Sequence, residues 1–316
     1  MGEPVMSSTL PNTPNTSSPA ALHFNRGSFA TSAVVSRSKW VRPRRFGWLW
    51  VWLLLVLPGC YSASRSDLDY SYEVYQTIQI PELSDQELLQ FKSVFWEPDD
   101  TASLRKMVTG DHIADGRTVM EIGTGMGLVS LACLAGGATK VVATDINPAA
   151  VANAKYNAAM LDLDTDFEVR LVRPEQPGAF SVIRDDERFD LIVSNPPWED
   201  GTVDQPADHA FYDPGFALMD SLLAGLPKHL NPGGRCLLAY GHKPAITRLL
   251  SKAESLGYQV KVLDDRKLDD LPNDFLPGML VEVRLGRGQI PKVDSGQALE
   301  KSSDPSAADS QPNDGD

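Results

Sequence analysis

The sequence predicts an α/β fold, a mostly parallel sheet covered by helices on both faces. Three observations carry that expectation. Between residues 117 and 285, short runs rich in Val, Ile, Leu and Ala alternate with stretches of helical period. The runs are apolar throughout rather than at every second position, which is the pattern of strands buried on both faces. A glycine-rich turn, Gly123-Thr-Gly-Met-Gly127, follows the first of these runs directly.

The elements follow in order. Tyr72 to Ile80 carries enough β-branched and aromatic residues for a strand. Ser84-Asp-Gln-Glu87 reads as a capping box that opens a short helix, and Asp100-Thr-Ala-Ser opens another. After Gly116 strands are expected at 117–122, 140–145, 167–172, 189–194 and 235–240, then near 258–263 and 280–285. Helices are expected at 127–135, 147–158, 214–229 and 244–256. No internal repeat interrupts the series.

Composition removes several classes. With 316 residues, 42% hydrophobic and 22% charged, the chain has ample material for a buried core, and wholesale disorder is excluded. Cys60, Cys133 and Cys236 are too few and too scattered for a disulfide scaffold or a zinc cluster. The histidines His112, His209, His229 and His242 lack ligand spacing, so no metal is expected. Charge is uneven: residues 1–60 hold six Lys/Arg against Glu3 alone, so the rest of the chain carries −18 of a total of −13. Such an acidic body repels phosphate backbones unless a basic patch gathers on one face.

The ends differ from the body. Residues 1–36, rich in Ser, Thr, Pro and Asn without apolar periodicity, read as disordered, and so does the acidic tail 290–316. Residues 37–60 combine a basic stretch, a ten-residue apolar run from Trp48 to Leu57 and the tetrapeptide Leu57-Pro-Gly-Cys60. The run is short for a membrane span and suits a signal peptide or short anchor. Its end resembles the lipobox of bacterial lipoproteins, although Pro58 departs from the usual small residue, so attachment to a membrane through this segment is one expectation.

Two sites carry chemistry. At the first, Gly123, Gly125 and Gly127 let a ligand lie against bare backbone beside a helix N-terminus. Asp145, twenty-two residues past Gly123, ends the next strand, where an acid can accept both ribose hydroxyls of a nucleoside. The spacing is GxGxG rather than the GxGxxG of nicotinamide enzymes. At the second, a buried strand runs into Asn195-Pro196-Pro197-Trp198. Two prolines stiffen the backbone there. They would hold the Asn195 amide and the Pro196 carbonyl as fixed acceptors for a planar NH2 group, with Trp198 as an aromatic face stacked on it. Alone, this tetrapeptide is equally a rigid turn with Trp198 packed inward. His209 and Tyr212 are candidates for the rim of this site, while Cys133 and Cys236 read as core.

Glu121-Ile-Gly-Thr-Gly-Met-Gly127, Val141-Val-Ala-Thr-Asp-Ile-Asn-Pro-Ala-Ala-Val151 and Asn195-Pro-Pro-Trp198 together resemble class I S-adenosylmethionine-dependent methyltransferases. The resemblance is to the small methyltransferases that include release-factor glutamine and ribosomal RNA guanine-N2 enzymes, and it covers roughly residues 70–286. It implies a Rossmann-like seven-stranded sheet with an antiparallel last strand, a cover segment at 70–115 and a core at 116–286. It also implies S-adenosyl-L-methionine as cofactor. Glu121, Gly123, Thr124, Gly125, Gly127, Asp145, Ile146 and Asn195 would bind the cofactor, and Asn195, Pro196, Pro197 and Trp198 would hold the acceptor nitrogen. Trp96-Glu-Pro-Asp-Asp-Thr101 sits where glutamine methyltransferases have a Pro-Arg-x-Glu-Thr-Glu segment covering the site, but the arginine is absent. Arg173-Pro174-Glu175 stands where the family often has Gly-Asp against adenine. The implied substrate is a protein with a glutamine-like amide, with an RNA or DNA base amine as the alternative. An exported, catalytically silent binding module is the reading from another class.

Overall fold

The structure, a computed structural model, describes residues 65–83, 85–272, 275–286 and 288. The expected tails at 1–36 and 290–316, the signal or lipobox-like segment 37–60, and Ser84 of the expected capping box lie outside these residues. The described chain opens with β1 (Val74–Gln79) and β2 (Glu87–Phe91), followed by α1 (Ala102–Gly110). Then come β3 (Thr118–Ile122), α2 (Leu128–Ala135), β4 (Lys140–Asp145), α3 (Pro148–Met160), β5 (Phe167–Leu171) and β6 (Phe189–Ser194). It continues with α4 (Ala217–His229), β7 (Leu230–His242), α5 (Lys243–Ser255), β8 (Gln259–Val262) and β9 (Phe275–Arg284).

Neighbouring residues on each central strand face opposite cores, which is why the runs are apolar throughout. Val119, Val141, Leu191, Leu237 and Leu280 pack on the side of α1, α2 and α3. Met120, Val142, Ile192, Leu238 and Val281 pack on the side of α4 and α5. The seven strands lie in the order β5-β4-β3-β6-β7-β9-β8. Strands β3 to β7 are parallel, and β9 runs antiparallel to both β7 and β8, as the resemblance implies. From β3 the chain steps outward to β4 and β5, then returns to β6 on the other side of β3. The loops after β3 and β6 therefore diverge and leave a crevice at the carboxyl ends of the strands.

β7 and β9 are longer than the sequence suggests. β7 begins at Leu230, with a register shift between the Phe189 and Leu191 pairings to absorb Asn231-Pro-Gly-Gly234. β9 begins at Phe275 and carries Pro277-Gly278 inside the strand.

The helix expected from Ser84-Asp-Gln-Glu87 is not formed: Glu87–Phe91 is β2, antiparallel to β1. The cause lies in α3. Leu89 N–H donates to Asn157 Oδ1 and Phe91 N–H to Asn153 Oδ1, each at 2.8 Å. Nδ2 of Asn153 and of Asn157 return bonds to the Leu89 carbonyl at 2.8 and 2.9 Å, and Asn157 also reaches the Met126 carbonyl at 2.9 Å. Two buried amides thus take the place of a third strand and satisfy the outer edge of β2. Leu88 and Phe91 go into the core on the α3 side. Truncating Asn157 takes this partner from the Leu89 N–H and the Met126 carbonyl, and leaves the Leu89 carbonyl with Asn153 as its side-chain donor. Asn157→Ala should therefore cost about 2–3 kcal/mol, read as a lowered urea midpoint, whereas an unchanged midpoint would show the clamp to be dispensable.

Candidate active site

The turn after β3 is held by what its backbone must do. Gly123, Gly125 and Gly127 have φ of 75°, 56° and 95°, the left-handed region that disfavours a side chain. Gly127 caps α2, and a Cβ there would lie 3.2 Å from Ala154 of α3, so both dihedral and packing call for glycine. The N–H groups of Gly123 and Thr124 donate to the Thr144 carbonyl at 2.9 and 3.0 Å. Gly125 N–H donates to Asp145 Oδ2 at 2.9 Å, and Asn147 N–H to Oδ1 at 2.8 Å. Burial pushes the Asp145 carboxyl up while these main-chain donors pull it down. Each oxygen keeps a lone pair for a further donor.

Glu121, 3% exposed at the end of β3, fastens the other side of the turn. Its Oε2 accepts from Thr124 Oγ1 at 2.7 Å, from Ser130 N–H at 3.1 Å, and from Ser130 Oγ. Ser130 lies in the first turn of α2, where a carboxylate is favoured by the helix dipole. Burial nevertheless drives the Glu121 carboxyl up to about 7, with Asp145 adding to the rise. All of these bonds fall on Oε2, so Oε1 carries none among the described residues.

At the acceptor end, Ser194 Oγ donates to the Ile122 carbonyl at 2.6 Å and ties the tip of β6 to β3. Asn195 follows, and its Oδ1 is buried without a hydrogen-bond donor among the described residues. Such an oxygen costs about 1–3 kcal/mol unless a donor arrives. Asn195, Pro196 and Pro197 share one cavity with Glu121, Gly123, Thr124, Gly125, Asp145 and Ile146. Gly127 lies behind this wall rather than on it. The cover segment contributes Phe95, Trp96, Glu97 and Thr101, and the loop after β6 contributes His209 and Tyr212. Phe95 meets Phe211 of that loop edge to face, with ring centroids 5.4 Å apart.

Trp198 does not take the stacking place expected for it. Its indole N–H donates to the Ala239 carbonyl of β7 at 3.1 Å, and its ring packs against the core on the α4 and α5 side. A large ring with one donor finds apolar cover and an acceptor there together. Phe95, Trp96 and Tyr212 supply the aromatic surface of the cavity instead.

Sequence reasoning also missed Val172, Pro177, Gly178 and Ala179, which form the wall beyond Asp145. Val172 ends the strand expected at 167–172, and that strand-end position was a usable signal. Pro177-Gly178-Ala179 belongs to an irregular stretch with no periodicity to read. The remaining candidates are structural. Cys133 and Cys236 are buried. The His229 ring stacks on Phe180 and bonds the Glu187 carbonyl. No group of three or more metal-ligating side chains occurs among the described residues.

This geometry is that of the class I methyltransferases: a strand-end acid and a glycine turn face a second strand end across the crevice of a doubly wound sheet. Comparison with known proteins agrees. Residues 101–196 match the family described as ribosomal protein L11 methyltransferase (PrmA). A Methanocaldococcus jannaschii protein named as a protein N5-glutamine methyltransferase is 32% identical over 152 residues, covering 46% of this chain and 73% of the relative. The release factor glutamine methyltransferase of Cereibacter sphaeroides is 38% identical over 136 residues, 39% of this chain and 46% of the relative. The ribosomal RNA small subunit methyltransferase C of Erwinia tasmaniensis is 36% identical over 118 residues, 37% of this chain and 29% of the relative. The chain thus spans about half the length, or less, of the release factor and ribosomal RNA enzymes. Among solved structures, the ribosomal protein L11 methylase of Lactobacillus delbrueckii subsp. bulgaricus has 22% identity and a TM-score of 0.43, covering 61% of this chain and 81% of that one. The chain belongs to the S-adenosylmethionine-dependent methyltransferases. It is an N-methyltransferase with S-adenosylmethionine as its cofactor.

The residues fit that cofactor. Asp145 keeps acceptor capacity for ribose hydroxyls, Glu121 Oε1 is available to an ammonium group, and the glycine turn offers backbone without side chains. Glu121 also gives a pH test in the cofactor-free protein. A raised carboxyl pKa means that the folded state holds the proton more tightly. Its stabilising contribution is complete below the ordinary value of 4.5 and is lost as pH rises through about 7. The stability of the wild type relative to Glu121→Gln should therefore fall across that window, by up to ~3 kcal/mol. Urea unfolding at a series of pH values reads it, and a constant difference would show that Glu121 does not titrate there.

Proposed function

We propose that this chain methylates the side-chain amide nitrogen of a glutamine in a protein. The buried, donorless Asn195 Oδ1 carries the proposal, because it asks for a neutral N–H donor at the end of the cavity opposite Asp145. S-adenosylmethionine supplies a methyl group on a cationic sulfur. Asn195 Oδ1 and the Pro196 carbonyl each accept one N–H of the substrate amide, fixing its plane and directing the nitrogen at the methyl carbon. The N–C bond forms as the S–C bond breaks, and the nitrogen then loses a proton to solvent. The leaving group is activated already, so this chain contributes mainly position and exclusion of water. Phe95, Trp96 and Tyr212 line the flanks of the planar amide.

Names of relatives support a protein acceptor, and so does charge. Residues 199–213 carry Glu199, Asp200, Asp204, Asp208 and Asp213 without one Lys or Arg, and the cover segment adds Glu97, Asp99 and Asp100. Asp213 is spent on capping α4, through the N–H groups of Leu218 and Met219. The charge around the mouth is still negative, which disfavours a phosphate backbone. A base amine of ribosomal RNA is the second reading, supported by the Erwinia relative and by the same planar NH2 chemistry.

Transfer of tritium from labelled S-adenosylmethionine to purified, unmethylated release factor, total protein or ribosomal RNA separates the two. Label in release factor is expected, and label confined to RNA would overturn the proposal. Asn195→Ala should bind S-adenosylhomocysteine within about threefold of wild type and transfer methyl about 10²–10³ times more slowly. A wild-type rate would remove Asn195 from the reaction.

For location, no helix among the described residues is long and apolar enough to cross a membrane. The basic stretch and apolar run ahead of Cys60 support attachment at a membrane surface as part of this proposal. Metabolic labelling with a radioactive fatty acid should mark the wild type and spare Cys60→Ser, and an unlabelled wild type would contradict lipid attachment at Cys60.

A further inference from the structure

The segment ahead of α1 crosses the crevice from the end of β4 to β9. At its start the Ser93 carbonyl accepts from Asn147 Nδ2 at 2.7 Å, just past β4. Two residues on, the Phe95 carbonyl oxygen lies 3.8 Å from where a Cβ on Gly125 would stand, against the turn after β3. The segment ends in the short 3-10 turn Pro98–Thr101. A Cβ on Gly278 of β9 would overlap the Asp100 carbonyl oxygen, so glycine there lets this turn seat on the sheet. In the sheet, β6 and β7 lie between β3 and β9. Glu97, held between the two anchors, is therefore carried across the end of β6, where Asn195 emerges.

The cavity wall holds four carboxylates, Glu97, Glu121, Asp145 and Asp213, and no Lys or Arg. Three of them are engaged: Glu121 and Asp145 hold the glycine turn, and Asp213 caps α4. Glu97 is not. It is exposed, its side chain makes no capping bond to the turn that follows, and it has no ion pair or hydrogen bond among the described residues. Lys92 and Arg105, the basic residues that flank it in sequence, pair with Glu73 and Glu82. Across the mouth, the loop after β6 meets this segment through Phe95 and Phe211 and adds no Lys or Arg of its own. The cavity thus has two unmet requirements: a cation for Glu97 at its mouth, and an N–H donor for the buried Asn195 oxygen.

We propose that Glu97 is a specificity-determining residue: the protein segment that is methylated carries a lysine or arginine close to its glutamine, and Glu97 pairs with that cation while the amide reaches Asn195. This rests on the acceptor role given to Asn195 above. The cation keeps its place while the methyl group moves, so the pair stabilises ground state and transition state alike. Its signature is a change in KM rather than in kcat.

The test uses the full chain with S-adenosylhomocysteine bound and short fluorescent peptides that hold one glutamine between two lysines, two alanines or two glutamates. The lysine peptide should bind at least about tenfold more tightly than the glutamate peptide, and added salt should shrink that gap. Glu97→Gln should weaken the lysine peptide about three- to fivefold, and Glu97→Lys should weaken it further. S-adenosylhomocysteine affinity should stay within about threefold of wild type in both. In methyl transfer to the lysine peptide, the loss in Glu97→Gln should fall on KM. Equal binding of the three peptides, or none, would overturn the proposal. So would a wild-type preference retained in Glu97→Gln and Glu97→Lys, or a parallel loss of S-adenosylhomocysteine binding, which would give the carboxylate to the cofactor. If the lysine peptide binds through Glu97 but gains no methyl group, the glutamine reading fails and the cation site stands.

Discussion

Two carboxylates, the buried Glu121 and the half-buried Asp145, hold the turn on which the site is built. A strand that must become a helix within five residues, through three left-handed glycines, exposes main-chain N–H groups that have no regular partner. Asp145 takes the N–H of Gly125, and Glu121 takes Ser130 and Thr124. The acids come from adjacent parallel strands, so the register of β3 with β4, Ile122 opposite Thr144, sets where the turn sits. Loss of that register would displace the glycine backbone, the Asp145 carboxylate and the mouth of the cavity together.

The rest of the molecule brings a second polar edge to the same crevice. β6 ends beside β3, fixed by Ser194 to the Ile122 carbonyl, and delivers Asn195. The segment ahead of α1 then closes over both edges, anchored through β2 to the side-chain amides of α3. α3 therefore has two tasks: Ala154 packs against Gly127 at the turn, and Asn153 and Asn157 hold the hairpin whose chain leads on to Phe95 and Trp96. The glycine turn and the cover segment are thus mechanically linked through one helix.

Much of this was legible in the sequence because it is local. The central strands announced themselves as continuous apolar runs, and the glycine turn with Asp145 needed only spacing to be read. What was missed depends on distant partners. Nothing in Ser84-Asp-Gln-Glu87 reveals that two asparagines some seventy residues on replace a neighbouring strand. Trp198 was given to the substrate because its sequence neighbours point there, yet its indole is drawn to the Ala239 carbonyl. Pro and Gly at 232–234 and 277–278 hid the true lengths of β7 and β9, since β-bulges and strand ends tolerate both.

The chemistry attributed to this crevice is transfer to a neutral, planar nitrogen held by two oxygen acceptors. Tandem mass spectrometry of release factor treated with the wild-type protein and S-adenosylmethionine locates the transferred methyl group at atomic level. The account predicts it on the side-chain nitrogen of a glutamine. A methyl group on a carboxylate oxygen, a hydroxyl or a thiol would contradict it.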